Sequence, residues 1–216
     1  MEEWFHILDL PKSAYNSDWN NYPSRAEIGL DRFLDILSHF NISCTFFILG
    51  WVAEKHPNLV RKIDSFGHEI ASHGYGHELI YRLGPDRFRQ DIRKAKRILE
   101  DLTGNEIQGY RGPGFSITTE NTWAFDVIAE EGFRYDATLY PGKHAHGGMP
   151  GMPGKPFLLL TLEGNKIEEY PVTLMNIAGY RLAFAGGGYF RLFPFVFISQ
   201  CIKWLNRRGT PAMSYL

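Results

Sequence analysis

Apolar residues along the chain follow two alternating spacings, one typical of amphipathic helices and one typical of buried strands. After residue 24 they recur three and four positions apart, and Ser24 with Glu27 forms a candidate capping box in front of them. The apolar face of this predicted helix consists of Leu30, Phe33, Leu34 and Leu37. Residues 44–49 are a short apolar run closed by Gly50, which predicts a buried strand.

The alternation of helical and strand-like segments continues as far as residue 138. Further helices are predicted over residues 57–66, 86–102 and 120–131, and further strands over residues 68–72, 107–110 and 133–138. Strictly alternating elements joined by short loops favour parallel strands with crossover helices, and hence an α/β sheet or barrel. Functional side chains are then expected at the C-terminal ends of the strands. Residues 6–23 show no period and predict no element.

The pattern changes after residue 140. Nine of the sixteen residues 141–156 are Gly or Pro, which predicts a long surface loop carrying His144 and His146. Residues 157–162 and 166–173 flank a turn and predict a β-hairpin. A last helix is expected over residues 194–206, and residues 210–216 begin a strand.

Composition and charge exclude several classes of protein. With 216 residues, 44% of them apolar and 22% charged, the chain is expected to fold as one domain over residues 1–216. A net charge of -1 offers no overall basic field for nucleic acid or an anionic membrane, so nucleic acid is not expected as a partner. Cys44 and Cys201 are too few for a disulfide framework. No membrane segment or signal peptide is visible, which favours a cytoplasmic protein.

The segment GHEIASHGYGH, residues 67–77, carries the strongest chemical signal. His73 and His77 are four apart, but Gly74 and Gly76 disfavour a helix, so the two histidines are expected on a loop leaving a strand. Two imidazoles there could bind zinc, with a third ligand from elsewhere. The spacing alone leaves two interpretations open, a metal site and an ordinary polar loop.

This segment closely resembles the second motif of the polysaccharide deacetylases, carbohydrate esterase family 4, also called the NodB homology domain. The run CTFFILG at residues 44–50 resembles the second strand of that family, YRGPGFS at 110–116 its Arg-x-Pro motif, and GFRYD at 132–136 its fourth motif. The run GGGYFRL at 186–192 resembles a bacterial branch associated with exopolysaccharide loci. The resemblance implies a distorted (β/α) barrel with a β-hairpin insertion. It also implies hydrolysis of the acetamide of N-acetylated hexosamine units in a polysaccharide.

The resemblance further implies a set of site residues and a cofactor, Zn²⁺ or another divalent transition metal. The metal ligands would be Glu2, His73 and His77. Arg111 would orient a catalytic base, Gly114 would offer its backbone N–H to the oxyanion, and Asp136 would pair with a general-acid histidine. Without the resemblance, Glu2 reads as a solvated carboxylate, Arg111 as a surface cation in a turn, and Asp136 as a polar strand end.

Two groups of the family pattern fall outside the sequence. The base Asp would precede Met1, and the general-acid His would follow Leu216, so the first and last strands are expected to be incomplete. The 216-residue chain is therefore expected to release no acetate by itself, because general acid and base groups each contribute about 10² to 10⁴ in rate. Two other hypotheses remain: an inactive or non-catalytic carbohydrate-binding remnant of such an enzyme, and another α/β metallohydrolase.

Overall fold

Helices and strands alternate along the first part of the chain, as the spacing of apolar residues predicts. The computed structural model describes residues 1–8, 19–177 and 179–216; residues 9–18, part of the segment without a predicted element, lie outside it. The helices are α1 (Ala26–His39), α2 (Gly50–Lys55), α3 (Pro57–Ser65), α4 (Ile80–Thr103), α5 (Trp123–Glu130), α6 (Gly187–Leu192) and α7 (Phe195–Arg207). The strands are β1 (Thr45–Ile48), β2 (Glu69–Ser72), β3 (Gly109–Tyr110), β4 (Tyr135–Asp136), β5 (Phe157–Leu160), β6 (Lys166–Glu169), β7 (Leu174–Ile177) and β8 (Tyr180–Ala183).

Six of these strands form one mixed sheet in the order β1-β2-β3-β4-β6-β5. Strands β1 to β4 and β6 are parallel, whereas β5 runs antiparallel to β6. Ser72 pairs with Tyr110, and Tyr110 pairs with Asp136, so the C-terminal ends of three strands lie side by side. Over the described residues β1 and β5 are the two edges of the sheet, and the barrel is not closed.

The predicted helices bury the apolar face that their spacing indicates. In α1 the buried residues are Leu30, Leu34 and Leu37. In α4 the buried residues of the predicted face are Phe88, Ile92, Ala95 and Leu99. The left-handed Gly104 ends α4, as expected. This helix begins earlier than predicted, at Ile80, and is interrupted at Gly84 before Pro85, where the backbone leaves the helical region.

The predicted capping box at the start of α1 is wrong. No side chain of the helix caps its own N-terminus. Instead, the carboxylate of the buried Glu3 accepts a hydrogen bond from the hydroxyl of Ser24 and one from the backbone N–H of Arg25, at 3.0 Å. A carboxylate from a distant segment therefore occupies the anion-favouring end of the helix, which local sequence spacing does not reveal.

The second part of the chain departs further from the prediction. The expected hairpin is present as β5 and β6, but β7 and β8 form a second hairpin and α6 a short helix that were not predicted. Residues 210–216 form no extended strand and contribute one bridge, between Gly186 and Tyr215. The Gly- and Pro-rich loop is not wholly on the surface, because Met149 is buried and Gly147 lies against the Phe115 backbone. Both cysteines are free thiols.

No helix within the described ranges combines the length and the apolar composition needed to cross a bilayer.

Candidate metal site

The two histidines of the GHEIASHGYGH segment lie on a tight loop that leaves β2. The backbone N–H of His73 donates to Ile48 at 2.9 Å, which continues the pairing of β2 with β1 by one residue. Gly74 and His77 then take left-handed conformations, with φ of 74° and 51°. The loop therefore turns sharply, as the two glycines predict, and both imidazoles are buried at the C-terminal end of the strand.

The N-terminal segment brings Glu2 to this loop. It runs beside the end of β1, where the backbone N–H of Leu49 donates to the carbonyl of Met1 at 3.2 Å. The Oε1 atom of Glu2 lies 2.8 Å from Nε2 of His73 and 3.1 Å from Nε2 of His77. The three ligand atoms lie within 4.8 Å of one another. The structure thus brings together all three residues that the resemblance implies as metal ligands.

Hydrogen-bond chemistry shows that this cluster suits a cation. The Nδ1 atom of His73 lies 2.5 Å from the carbonyl oxygen of Arg111, so Nδ1 carries the hydrogen and donates it. In a neutral imidazole Nε2 then presents a lone pair to the Glu2 carboxylate, which also only accepts. Two acceptors 2.8 Å apart require a positive charge between them, supplied by a proton or by a metal ion.

The protonation states expected in the cluster also suit a divalent ion. Burial raises the pKa of Glu2, but hydrogen bonds and charge attraction from His73 and His77 in their protonated form outweigh burial and hold the pKa of Glu2 well below its usual range. Burial lowers the pKa of His73. A carboxylate that stays charged, together with two imidazole nitrogens, is the nitrogen and oxygen donor set that zinc prefers. The residues present therefore fit such an ion.

Asp91 on α4 holds the histidine loop and was missed by sequence reasoning. Its carboxylate accepts the backbone N–H of Tyr75 at 2.7 Å and that of Gly76 at 2.9 Å, the two residues midway between the histidines. A signal was present, because Asp91 follows Phe88 by three positions and so lies on the apolar face of its helix. An acid in that position is a candidate for a buried role, which here is to fix the loop conformation.

Arg111 lies next to the cluster and is half-buried, not an exposed cation in a turn. Its Nε donates to the carbonyl of Ala137 at 3.2 Å, and its guanidinium carbon lies 4.2 Å from the ring centroid of Phe47. Burial lowers the pKa of Arg111 to about 10, against the opposing charge of Asp136. The guanidinium of Arg111 therefore lies among apolar and carbonyl groups. The role that the resemblance implies for Arg111, orienting a catalytic base, stays a prediction.

Asp136 is wholly buried at the C-terminal end of β4. Its carboxylate accepts the hydroxyl of Thr138 at 2.5 Å and the backbone N–H of the same residue at 3.1 Å. Its partner across the sheet is Glu169, which is equally buried and was not singled out from the sequence. Burial raises the pKa of both acids, and the neighbouring Asp136 raises the pKa of Glu169 well above its usual range.

Gly114 lies at the centre of a short 3₁₀ turn, residues 113–115, that follows β3 in the chain. It has a φ of 62°, and an added Cβ would lie 2.9 Å from a methyl group of Leu79 and 3.1 Å from His146. The His144 ring stacks edge-on against Phe115 at 5.5 Å, so the Gly- and Pro-rich loop covers this turn. Only glycine fits here, because the side chains of Leu79 and His146 approach the backbone closely. Its role toward an oxyanion stays a prediction.

Two family profiles match this chain. One, described as polysaccharide deacetylase, matches residues 20–135, and the other, described as a domain of unknown function (DUF3473), matches residues 137–216. A peptidoglycan-N-acetylglucosamine deacetylase of Bacillus cereus is 37% identical over 94 residues, which cover 43% of this chain and 34% of that protein. The chain spans about a third to a half of the length of the curated relatives it matches.

Two solved structures share the fold. A Mycobacterium smegmatis protein assigned as a polysaccharide deacetylase superimposes with a TM-score of 0.65 at 25% identity, over 87% of this chain and 63% of that one. Puue allantoinase superimposes with a TM-score of 0.60, also at 25% identity, over 87% of this chain and 58% of its own. One fold therefore carries enzymes with different names, so the site and not the fold has to support a substrate.

Proposed function

Because the chain belongs to the polysaccharide deacetylase family, we propose that it serves metal-dependent deacetylation of N-acetylated hexosamine units in a polysaccharide. The reaction cleaves the carbon–nitrogen bond of an acetamide with water and releases acetate and a free amine. One observation carries the proposal: Glu2, His73 and His77 converge at the C-terminal ends of the strands, with two hydrogen-bond acceptors facing each other. Zn²⁺ is the proposed ion, and another divalent transition metal would suit the same ligands.

When bound, such an ion acidifies water and polarises the carbonyl of the acetamide. The residues of the chain then have separate roles. The carbonyl of Arg111 holds the His73 ring in the tautomer that leaves Nε2 free as a ligand, and Asp91 holds the loop between the two histidines. The backbone N–H of Gly114 is proposed to donate to the developing oxyanion.

Arg111 and Asp136 are proposed to act on other side chains. Arg111 places a half-buried positive charge beside the cluster, where it would orient a carboxylate acting as base. Asp136 lies buried at the same C-terminal end of the sheet, where it would hold an imidazolium and raise its pKa. Neither residue replaces the base or the acid itself.

The first arm of the test measures metal binding. Titration of the purified, metal-stripped chain with Zn²⁺ in a calorimeter should show one site, and His73→Ala should abolish it. His39→Ala is the matched control, because His39 is exposed on α1, and it should leave binding unchanged. Equal Zn²⁺ binding by both variants would contradict the assignment of His73 as a metal ligand.

The second arm measures acetate released by the full natural protein from chitooligosaccharides, peptidoglycan and an N-acetylated exopolysaccharide. Release from at least one polymer, lost in His73→Ala, supports deacetylation and names the substrate class. Zinc binding and glycan retention without acetate release would overturn catalysis and leave the alternative, a non-catalytic carbohydrate-binding protein.

A further inference from the structure

Positive charge is concentrated at the C-terminal end of a chain that is almost neutral overall. Residues 171–216 contain no Asp or Glu, so the whole excess of acid over base lies in residues 1–170. The basic residues of the C-terminal part are Arg181, Arg191, Lys203, Arg207 and Arg208. The net charge of -1 therefore hides a local basic region, which the whole-chain balance does not predict.

The corner between α6 and α7 exposes three large apolar side chains. Leu192, Phe195 and Val196 are 71%, 81% and 67% exposed. The corner is not loose, because Phe193 packs against Phe197 with ring centroids 5.1 Å apart. A solvent-facing group of large apolar side chains of this kind is a candidate interaction site.

Helix α7 places cations on the same outward face as this tip. Its buried stripe is Ile198, Cys201 and Leu205, which pack in one apolar cluster. Lys203 and Arg207 follow Val196 by seven and eleven positions, so at 100° per residue they lie on the opposite, solvent-facing stripe. The outward face of α7 is thus apolar at its N-terminal end and basic at its C-terminal end.

An aromatic residue stands at the basic end. Trp204 is partly exposed, and the guanidinium carbon of Arg208 lies 3.9 Å from the centroid of its ring. Tryptophan with a cationic neighbour suits the boundary between water and lipid, since the ring is amphipathic and the charge meets the headgroups.

We propose that this face, defined as Leu192, Phe195, Val196, Lys203, Trp204, Arg207 and Arg208, binds the surface of an anionic phospholipid bilayer. Lipid fits better than an acidic protein because the face changes from apolar to cationic along one helix, as a bilayer changes from acyl chains to phosphate. The apolar tip enters the acyl boundary, and the cations reach the phosphates. The proposed contact is peripheral.

Sedimentation with sucrose-loaded vesicles tests the proposal on the full chain. The protein should pellet with phosphatidylcholine–phosphatidylglycerol vesicles (7:3), should not pellet with pure phosphatidylcholine, and should be released by 0.5 M salt. Lys203→Gln with Arg207→Gln should lower the partition coefficient about 30-fold, since each surface cation contributes about fivefold. Phe195→Ser with Leu192→Ser should lower it by more than tenfold.

The matched control is Phe40→Ser with Ile42→Ser, which removes two exposed apolar side chains elsewhere on the molecule and should leave partitioning unchanged. Circular dichroism of each variant verifies folding. Failure of the unmodified chain to bind anionic vesicles, or equal binding to neutral ones, would overturn the proposal. It would also be overturned if light scattering showed a dimer abolished by Phe195→Ser, because the face would then join two copies.

Discussion

Two acidic clusters lie at the same end of the sheet, and they have opposite electrostatics. Around Glu2 two imidazoles surround a carboxylate, and its pKa falls well below the usual range. Asp136 and Glu169 instead face each other on adjacent strands, and the pKa of both is raised. Burial acts to raise the pKa of all three acids, yet the pKa of Glu2 is lowered, so burial alone does not decide the charge of an acid. The neighbouring side chain decides it.

This difference separates a site for a cation from a pair of acids whose surroundings favour protonation. The Glu2 cluster combines a negative charge with lone pairs directed at one position, which a divalent ion can occupy. In the second cluster burial and the charge of Asp136 favour the protonated form of Glu169, whose Oε2 has no hydrogen-bond partner among the described residues. The following substitutions test this difference between the Glu2 cluster and the pair of Asp136 and Glu169.

The largest effect is expected for Glu2→Gln. It removes the only acidic member of the cluster formed with His73 and His77. Zinc affinity measured by calorimetry should fall by more than about 100-fold. This loss is larger than the loss of about 10- to 100-fold typical of residues that only hydrogen-bond to a metal ligand. Glu3→Gln is the neighbouring control: Glu3 contacts the start of α1, and its change should leave zinc affinity within about twofold. Similar losses in both variants would contradict the assignment of Glu2.

A smaller effect is expected for Asp91→Asn, which leaves one acceptor for two backbone N–H groups. Zinc affinity should fall about tenfold, because the ligand loop loses part of its support while all three ligands remain. Asp101→Asn, an exposed change on the same helix, should have no effect. Unchanged affinity in Asp91→Asn would show that the loop is rigid without this carboxylate.

The smallest effect concerns stability and pH. Burial and Asp136 raise the folded-state pKa of Glu169, so its protonated form contributes stability below about pH 4.3, its unfolded value, and that contribution is lost as pH rises through the folded pKa. The free energy of unfolding is measured in urea at pH 5 to 8. As pH rises, the value for Glu169→Gln should increase relative to the value for the unmodified protein. The exposed Glu168→Gln should show a constant offset, and the same constant offset in Glu169→Gln would refute the raised pKa.

Local sequence was sufficient wherever one element's own spacing carried the information. Helix α1, strand β1 and the loop from His73 to His77 follow from apolar spacing and glycine placement within a dozen residues. The second hairpin and α6 were missed because short strands and a Gly-initiated helix carry little periodicity. Met175 of β7 and Phe190 of α6 pack in one apolar cluster with the buried residues of α7, and spacing within the segment cannot predict this contact.

What the sequence by itself determined is the set of chemical groups and the order of the alternating elements that carry them. Only the tertiary structure decided which groups meet: Glu2 joins His73 across 71 positions, Glu3 serves α1, and Asp136 faces Glu169 rather than the metal ligands. The physical reason is that helix and strand formation depend on neighbours a few residues away, whereas ligand geometry and pKa depend on distances of a few ångströms between groups that only strand register and chain packing bring together.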